Sequence, residues 1–146
     1  MTFDISALLD LWTEPSPDPT EAAAAFRRLY ADPTRVNGAL LSADDLVQRA
    51  YGLQHALADV QREVLELSDA GGTVAVAFRL EGRHVGPLAT SAGVLAATGR
   101  RLSLRVIDVL TVTDGRITDI TMVADELGAL AAVGAAVLVD PDVGAR

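Results

Sequence analysis

Asp108 and Asp125 lie in the stretch RVIDVLTVTDGRITDITMVADELG, from Arg105 to Gly128, where both interrupt otherwise apolar patterns. A carboxylate buried without a partner is costly. Left unpaired, its pKa rises, and a carboxyl tuned towards neutrality is a general acid or base. The plain alternative is that each aspartate bonds a backbone amide or an arginine, with Asp125 serving as a helix N-cap. His84, in the glycine-flanked segment EGRHVGP, is a third candidate for proton transfer or ligand contact. Its plain alternative is a loop residue bonding backbone.

Composition removes most other chemistries. The 146 residues include no cysteine, so disulfides, thiolate metal sites and a cysteine nucleophile are excluded. His55 and His84 are the only histidines, and a multi-histidine metal site is not expected. There is no glycine-rich phosphate loop; Gly71-Gly72 reads as a turn. A catalytic metal would need mostly carboxylate ligands. The net charge of −8 repels phosphate backbones, which argues against nucleic acid as a partner. The N-terminal MTFDISALLDLW lacks a basic flank and is not expected to act as a signal peptide. No run reaches the ~20 apolar residues that span a bilayer. A cytoplasmic protein away from the membrane is the expectation.

The elements that position these residues follow from periodicity. A short helix is predicted over Ile5 to Trp12, then a proline-rich loop, then a helix over EAAAAFRRLY with Thr20 as its N-cap. Asp-Pro and Asn-Gly mark turns around a short extended piece. Ser42, with Asp45 three residues on, opens a helix carrying Leu46, Val47, Ala50 and Leu53. From Val60 the period changes to two: VQREVLELSD and TVAVAFRLEG flank Gly71-Gly72, and LSLRVIDVLTVT and RITDITMVA flank Asp114-Gly115. A helix is predicted to start at Asp125. Helices followed by a meander of antiparallel strands imply one α+β domain over 1–146, with 135–146 a frayed tail.

The second hairpin assigns faces. With Asp114-Gly115 as a two-residue turn, Thr113 opposes Arg116, and opposed residues share a face. Leu104, Val106 and Asp108 then join Thr121, Val123 and Asp125 on the face that helices cover. Ile107, Val109, Ile120 and Met122 form an apolar patch on the other, suited to a homodimer packed sheet to sheet. Trp12, Phe26, Tyr30, Tyr51 and Phe78 are candidates to line a cavity with Leu104, Val106, Thr121 and Val123. At their spacing they also read as simple core.

Gly82-x-His84-x-Gly86-Pro87, Thr98-Gly99-Arg100, Asp108, Asp114-Gly115-Arg116-Ile117 and Asp125-x-Leu127-Gly128, in this order, resemble the SnoaL-like polyketide cyclase (ester cyclase) family of the NTF2-like superfamily. The resemblance implies a cone-shaped α+β barrel in which N-terminal helices close a strongly curved antiparallel sheet around a hydrophobic cavity. It implies cofactor-independent aldol closure or isomerisation of a polyketide-like carbonyl compound, with neither a metal nor an organic cofactor and with Asp125 as the acid/base. The chain carries Ile120-Thr121 where relatives commonly have His-Trp, and Ala97 where a proline is usual. Two alternatives compete: epoxide hydrolysis by paired aspartates, for which Arg105-x-x-Asp108 is the nearest match, and a dimeric, non-catalytic pocket for a small apolar molecule.

Overall fold

The computed structural model describes residues 2–144. Helix α1 (Ile5–Thr13) begins at Asp4, whose side chain accepts from the Ala7 amide. Helix α2 (Pro19–Leu29) takes Asp18 as its N-cap, not Thr20, because Pro19 fills the first turn, where a missing N–H costs nothing. Tyr30, expected to close that helix, instead opens β1 (Tyr30–Val36). Asn37 and Gly38, both at positive φ, turn the chain into β2 (Ala39–Leu41). Helix α3 (Ala43–Ala56) carries the predicted capping box of Ser42 and Asp45.

The long strands β3 (Leu57–Asp69), β4 (Thr73–His84), β7 (Arg101–Thr113) and β8 (Arg116–Ala124) form the meander, with a small hairpin, β5 (Leu88–Thr90) and β6 (Gly93–Leu95), between β4 and β7. The main sheet has the order β2-β1-β8-β7-β4-β3. It is antiparallel except where β1 runs parallel to β8, so the sheet is mixed rather than purely antiparallel. Register shifts in β3 and β8 bend the strands. Helices α1 to α3 pack over one face, enclosing Leu8, Leu9, Phe26, Leu46, Val47, Val76, Val106, Leu110 and Ile117. Helix α4 (Glu126–Ala132) starts at the predicted cap Asp125 and covers a smaller cluster of Ala56, Leu57, Leu102, Ala129 and Val133. Beyond it the chain is irregular, with Val137, Leu138 and Val139 exposed, up to α5 (Pro141–Gly144). The last two residues of the expected tail lie outside the described residues.

One residue corrects the assignment of faces. The turn is as predicted, with Val112 opposite Ile117 and Thr113 opposite Arg116, but Thr111 then pairs with Asp119. The extra residue, Thr118, shifts everything beyond it by one, and a one-residue slip exchanges the two faces of a strand. Asp108 therefore opposes Met122, not Thr121. Thr121 and Val123, expected in the cavity, are exposed on the outer face with Ile107 and Val109. Ile120, expected in the outer patch, is core, and Met122 stands across from Asp108 on the inner face.

Candidate active site

Asp108 is the buried carboxylate. It lies mid-strand on β7, between Val76 of β4 and Met122 of β8, and is 7% exposed. Its Oδ1 is buried and has no hydrogen-bond partner. Burial alone pushes its pKa up, to about 6. Arg105, three residues earlier, points to the opposite face, as strand alternation requires. The Arg–Asp pairing that epoxide hydrolysis would use does not form on this strand.

Asp125 is placed differently from the expectation. The shift in β8 sets it beside Arg105 on the solvent side, where its amide donates to the Arg105 carbonyl at 2.9 Å. Its carboxylate accepts from the Gly128 amide at 2.9 Å and from Arg105 Nη2 at 3.4 Å. The Gly128 amide, then the Arg105 side chain, hold its pKa below the ordinary carboxylate range. Asp125 is thus a helix cap in an exposed ion pair, the plain alternative read from the sequence.

His84 is the third sequence candidate. It is fully buried at the end of β4, eight residues beyond the position opposite Asp108, roughly 25 Å along the strand. Its Nδ1 accepts from the Thr98 amide at 3.2 Å and lies 3.0 Å from the Thr98 hydroxyl. Its backbone bonds Arg100 and Gly99. Thr98-Gly99-Arg100 is therefore a clasp around His84. Gly86 completes it, because a Cβ there would stand 2.4 Å from the His55 carbonyl oxygen. These motifs hold a loop down, and the fold does not bring His84 to Asp108.

The aromatic candidates divide likewise. Phe26, Tyr30, Phe78 and Val106 are buried in the main cluster, with Trp12, Tyr51 and Leu104 packed against it. Hydrogen bonds orient both tyrosines: the Tyr51 hydroxyl donates to the Ser16 carbonyl at 3.0 Å, and Tyr30 is held by the indole. Trp12 Nε1 donates to the Tyr30 hydroxyl at 2.8 Å. Burial pushes the Tyr30 phenol above its ordinary pKa; the Trp12 hydrogen bond opposes this, and the charge of Asp108 adds to it. Tyr30 is thus a protonated phenol within electrostatic reach of Asp108. The Trp12–Tyr30 bond joins residues eighteen apart in sequence, and no local pattern announces it.

Two adjoining grooves open on the helical side. One, of about 250 Å³, lies among Leu11, Ala22, Phe26, Val47, Ala50 and Tyr51; the other, of about 750 Å³, among Pro15, Pro17, Tyr51, Gln54, His55 and Val60. Asp108 lines neither. Phe26 lines the smaller groove and also packs on Trp12 and Tyr30, with ring centroids 5.5 and 5.4 Å away. It is the side chain linking the groove to the buried Tyr30. Among the described residues no group of three or more His, Asp or Glu is placed to hold a metal. No helix among them is long and apolar enough to cross a membrane.

Helices closing one face of a bent mixed sheet, with a lone carboxylate buried beneath them, define the cone-shaped α+β class. The chain belongs to the SnoaL-like polyketide cyclase family, whose family model matches residues 5–133. Among solved structures it is similar to TsrD from Streptomyces laurentii, with a TM-score of 0.70 and 23% identity over 90% of this chain and 92% of that one. It is also similar to a SnoaL-like polyketide cyclase from Agrobacterium tumefaciens, with a TM-score of 0.68 and 14% identity over 88% and 91% of the two chains. AclR from Streptomyces galilaeus, a candidate hydroxylase, gives a TM-score of 0.68 at 19% identity over 97% and 91%. At such identities the likeness speaks for the fold. No curated protein sequence matches significantly.

Proposed function

We propose that the protein catalyses cofactor-independent proton transfer at carbon in a polyketide-like carbonyl compound, as an aldol cyclase or isomerase, with Asp108 as the base. The observation that carries this reading is Asp108 itself: buried, without a cation and with an unpartnered oxygen. A general base works best when its pKa lies near the working pH, and burial brings Asp108 to about 6. It would take the proton from a carbon beside the carbonyl. The electrons of that C–H bond would pass to the carbonyl oxygen as an enolate, which either attacks a second carbonyl carbon or is reprotonated elsewhere. Asp108 then returns the proton, so no cofactor is consumed.

The test is hydrogen–deuterium exchange at the α-carbon of 2-tetralone, an enolisable bicyclic ketone, followed by NMR in heavy water. The wild type should accelerate exchange, with a rate that rises through about pH 6 as Asp108 ionises. Asp108→Asn should lower the rate ~10²–10⁴-fold, the usual contribution of a placed base. Asp125→Asn should leave it unchanged. Wild-type exchange in Asp108→Asn would sink the reading.

The grooves favour a second reading, a non-catalytic binder of a small apolar molecule, because neither reaches Asp108. That reading gains if the wild type binds 2-tetralone with no exchange and Asp108→Asn binds it equally well.

A further inference from the structure

We propose that Tyr30 is the hydrogen-bond donor for the oxygen that becomes negative when Asp108 removes a proton, and that Trp12 is the residue that positions it. This rests on the proton-transfer reading above. The argument starts from donors and acceptors. An indole N–H can only donate, so in the 2.8 Å contact between Trp12 Nε1 and the Tyr30 hydroxyl the phenol oxygen is the acceptor. The phenol's own proton is not used in that bond. Tyr30 makes no other side-chain hydrogen bond among the described residues, and it is 2% exposed. A buried O–H is therefore left with no acceptor. In the same interior, Asp108 Oδ1 is a buried acceptor left with no donor.

These two groups do not bond each other. Unsatisfied buried polar atoms are expensive, and a native fold that keeps a complementary pair of them calls for an explanation. A third group satisfying both would carry an oxygen with free lone pairs and a removable proton. An enolisable carbonyl compound has the two on adjacent atoms: its oxygen faces the phenol and its α-hydrogen faces the carboxylate. When the C–H bond breaks, the proton goes to Asp108 Oδ1 and the electron pair ends on the carbonyl oxygen. Negative charge thus leaves the carboxylate and appears beside the Tyr30 O–H, where a preorganised donor is worth most.

Trp12 serves this in two ways. Its N–H withdraws electron density from the phenol oxygen, which makes the phenol a better donor. It also fixes the rotation of that hydroxyl, by occupying a lone pair that would otherwise be free. The indole is itself held edge-on by Phe26, at 5.5 Å and 86°.

The proposal is tested with two probes on the full chain. In the 2-tetralone assay, Tyr30→Phe should lower kcat about 10²–10³-fold, the cost of removing one oxyanion donor, with KM little changed. Loss of exchange in Asp108→Asn with full kcat in Tyr30→Phe would overturn this assignment and leave the base reading intact. Wild-type exchange in Asp108→Asn would overturn both.

The second probe is 4-nitrophenol, whose coloured phenolate mimics an enolate oxygen, bound to Asp108→Asn so that no carboxylate repels it. Bound probe should ionise at lower pH than free probe. Adding Tyr30→Phe should weaken phenolate binding about tenfold or more, as loss of a hydrogen bond to a charged group does. Adding Trp12→Phe should give an intermediate loss, and this arm decides the matter if the Tyr30 variant does not fold. Identical phenolate binding with and without either substitution, or no binding of 4-nitrophenol to Asp108→Asn, would overturn the proposal.

Discussion

Asp108 keeps its ionised form in the folded protein at a cost to stability. In the unfolded chain an aspartate titrates near 4; in the fold burial raises Asp108 to about 6. Between those values the folded protein holds a proton that the unfolded chain has released. Stability from this group is therefore greatest at low pH, falls as pH rises from about 4 to about 6, and is level above that. The loss is about 3 kcal/mol for a shift of this size. Asp32, Asp69, Glu81 and Asp125 run the other way, since hydrogen bonds hold each below its ordinary range. All four lie at the surface, Asp69 on the Phe3 and Gly71 amides and the others beside arginines, and they contribute little. We predict that Asp108→Asn removes the first slope. Its unfolding free energy, measured against that of the wild type in urea, should gain about 3 kcal/mol in relative terms between pH 4 and pH 7. The amide does not titrate, so whatever its own hydrogen bonding costs is an offset that does not change with pH. A difference that stays flat would mean that the carboxylate is solvated or paired.

Elements announced by local chemistry were legible, while those set by distant partners were not. Ser42 with Asp45, Asp114-Gly115 and Asp125 with Gly128 each satisfy backbone needs within four residues, and each marks the turn or helix start that the sequence predicts. Thr118 carries no such signal. Regular alternation sends Ile117 and Ile120, three residues apart, to opposite faces, and both are core only because Thr118 is extra; the inward pull on Ile120 comes from the helices above the sheet, not from its neighbours in sequence. That one insertion moved Asp125 outward and Ile120 inward. Tyr30 was hidden for a similar reason: its strand is made by pairing with β8, nearly ninety residues later. The end of α1, which carries Trp12, is also held from a distance. Last-turn carbonyls of a helix lack intrahelical partners, and here the Gln54 amide of α3 lies 3.5, 3.3 and 3.3 Å from the carbonyls of Leu11, Trp12 and Glu14. Gln54→Ala should cost about 1 kcal/mol and loosen the indole. Trp12 is the only tryptophan, so its fluorescence reports on this element alone. We expect a red shift in emission with the lowered stability; an unchanged spectrum would show that α1 is fixed by its apolar face instead.

At the scale of the molecule, the outer face of the sheet is the surface left to explain. Ile107, Val109 and Val123 are 54%, 40% and 66% exposed there, next to Thr121. Large apolar groups clustered in the open mark an interaction surface. We propose a second copy of the chain as the occupant. Arginines and acids stand together along one end of the patch, with Arg101 bonded to Glu81 at 2.8 Å and Arg79 to Glu63 at 3.5 Å. A surface carrying both signs can match itself across a two-fold axis. The two copies would each bring a net charge of −8, so they repel at long range, and salt screens that repulsion. Dimerisation should therefore strengthen as salt is raised from low levels to about 0.15 M. Sedimentation should give twice the 15.2 kDa chain mass, and Ile107→Glu with Val123→Glu should return the monomer. A monomer at micromolar concentration in the wild type, or a dimer indifferent to both substitutions, would refute the assignment. Ile107 and Val109 flank Asp108 and point away from it. The monomeric variant should thus keep its exchange activity per folded molecule while losing stability, because the partner would brace the strand that carries the base without touching the base.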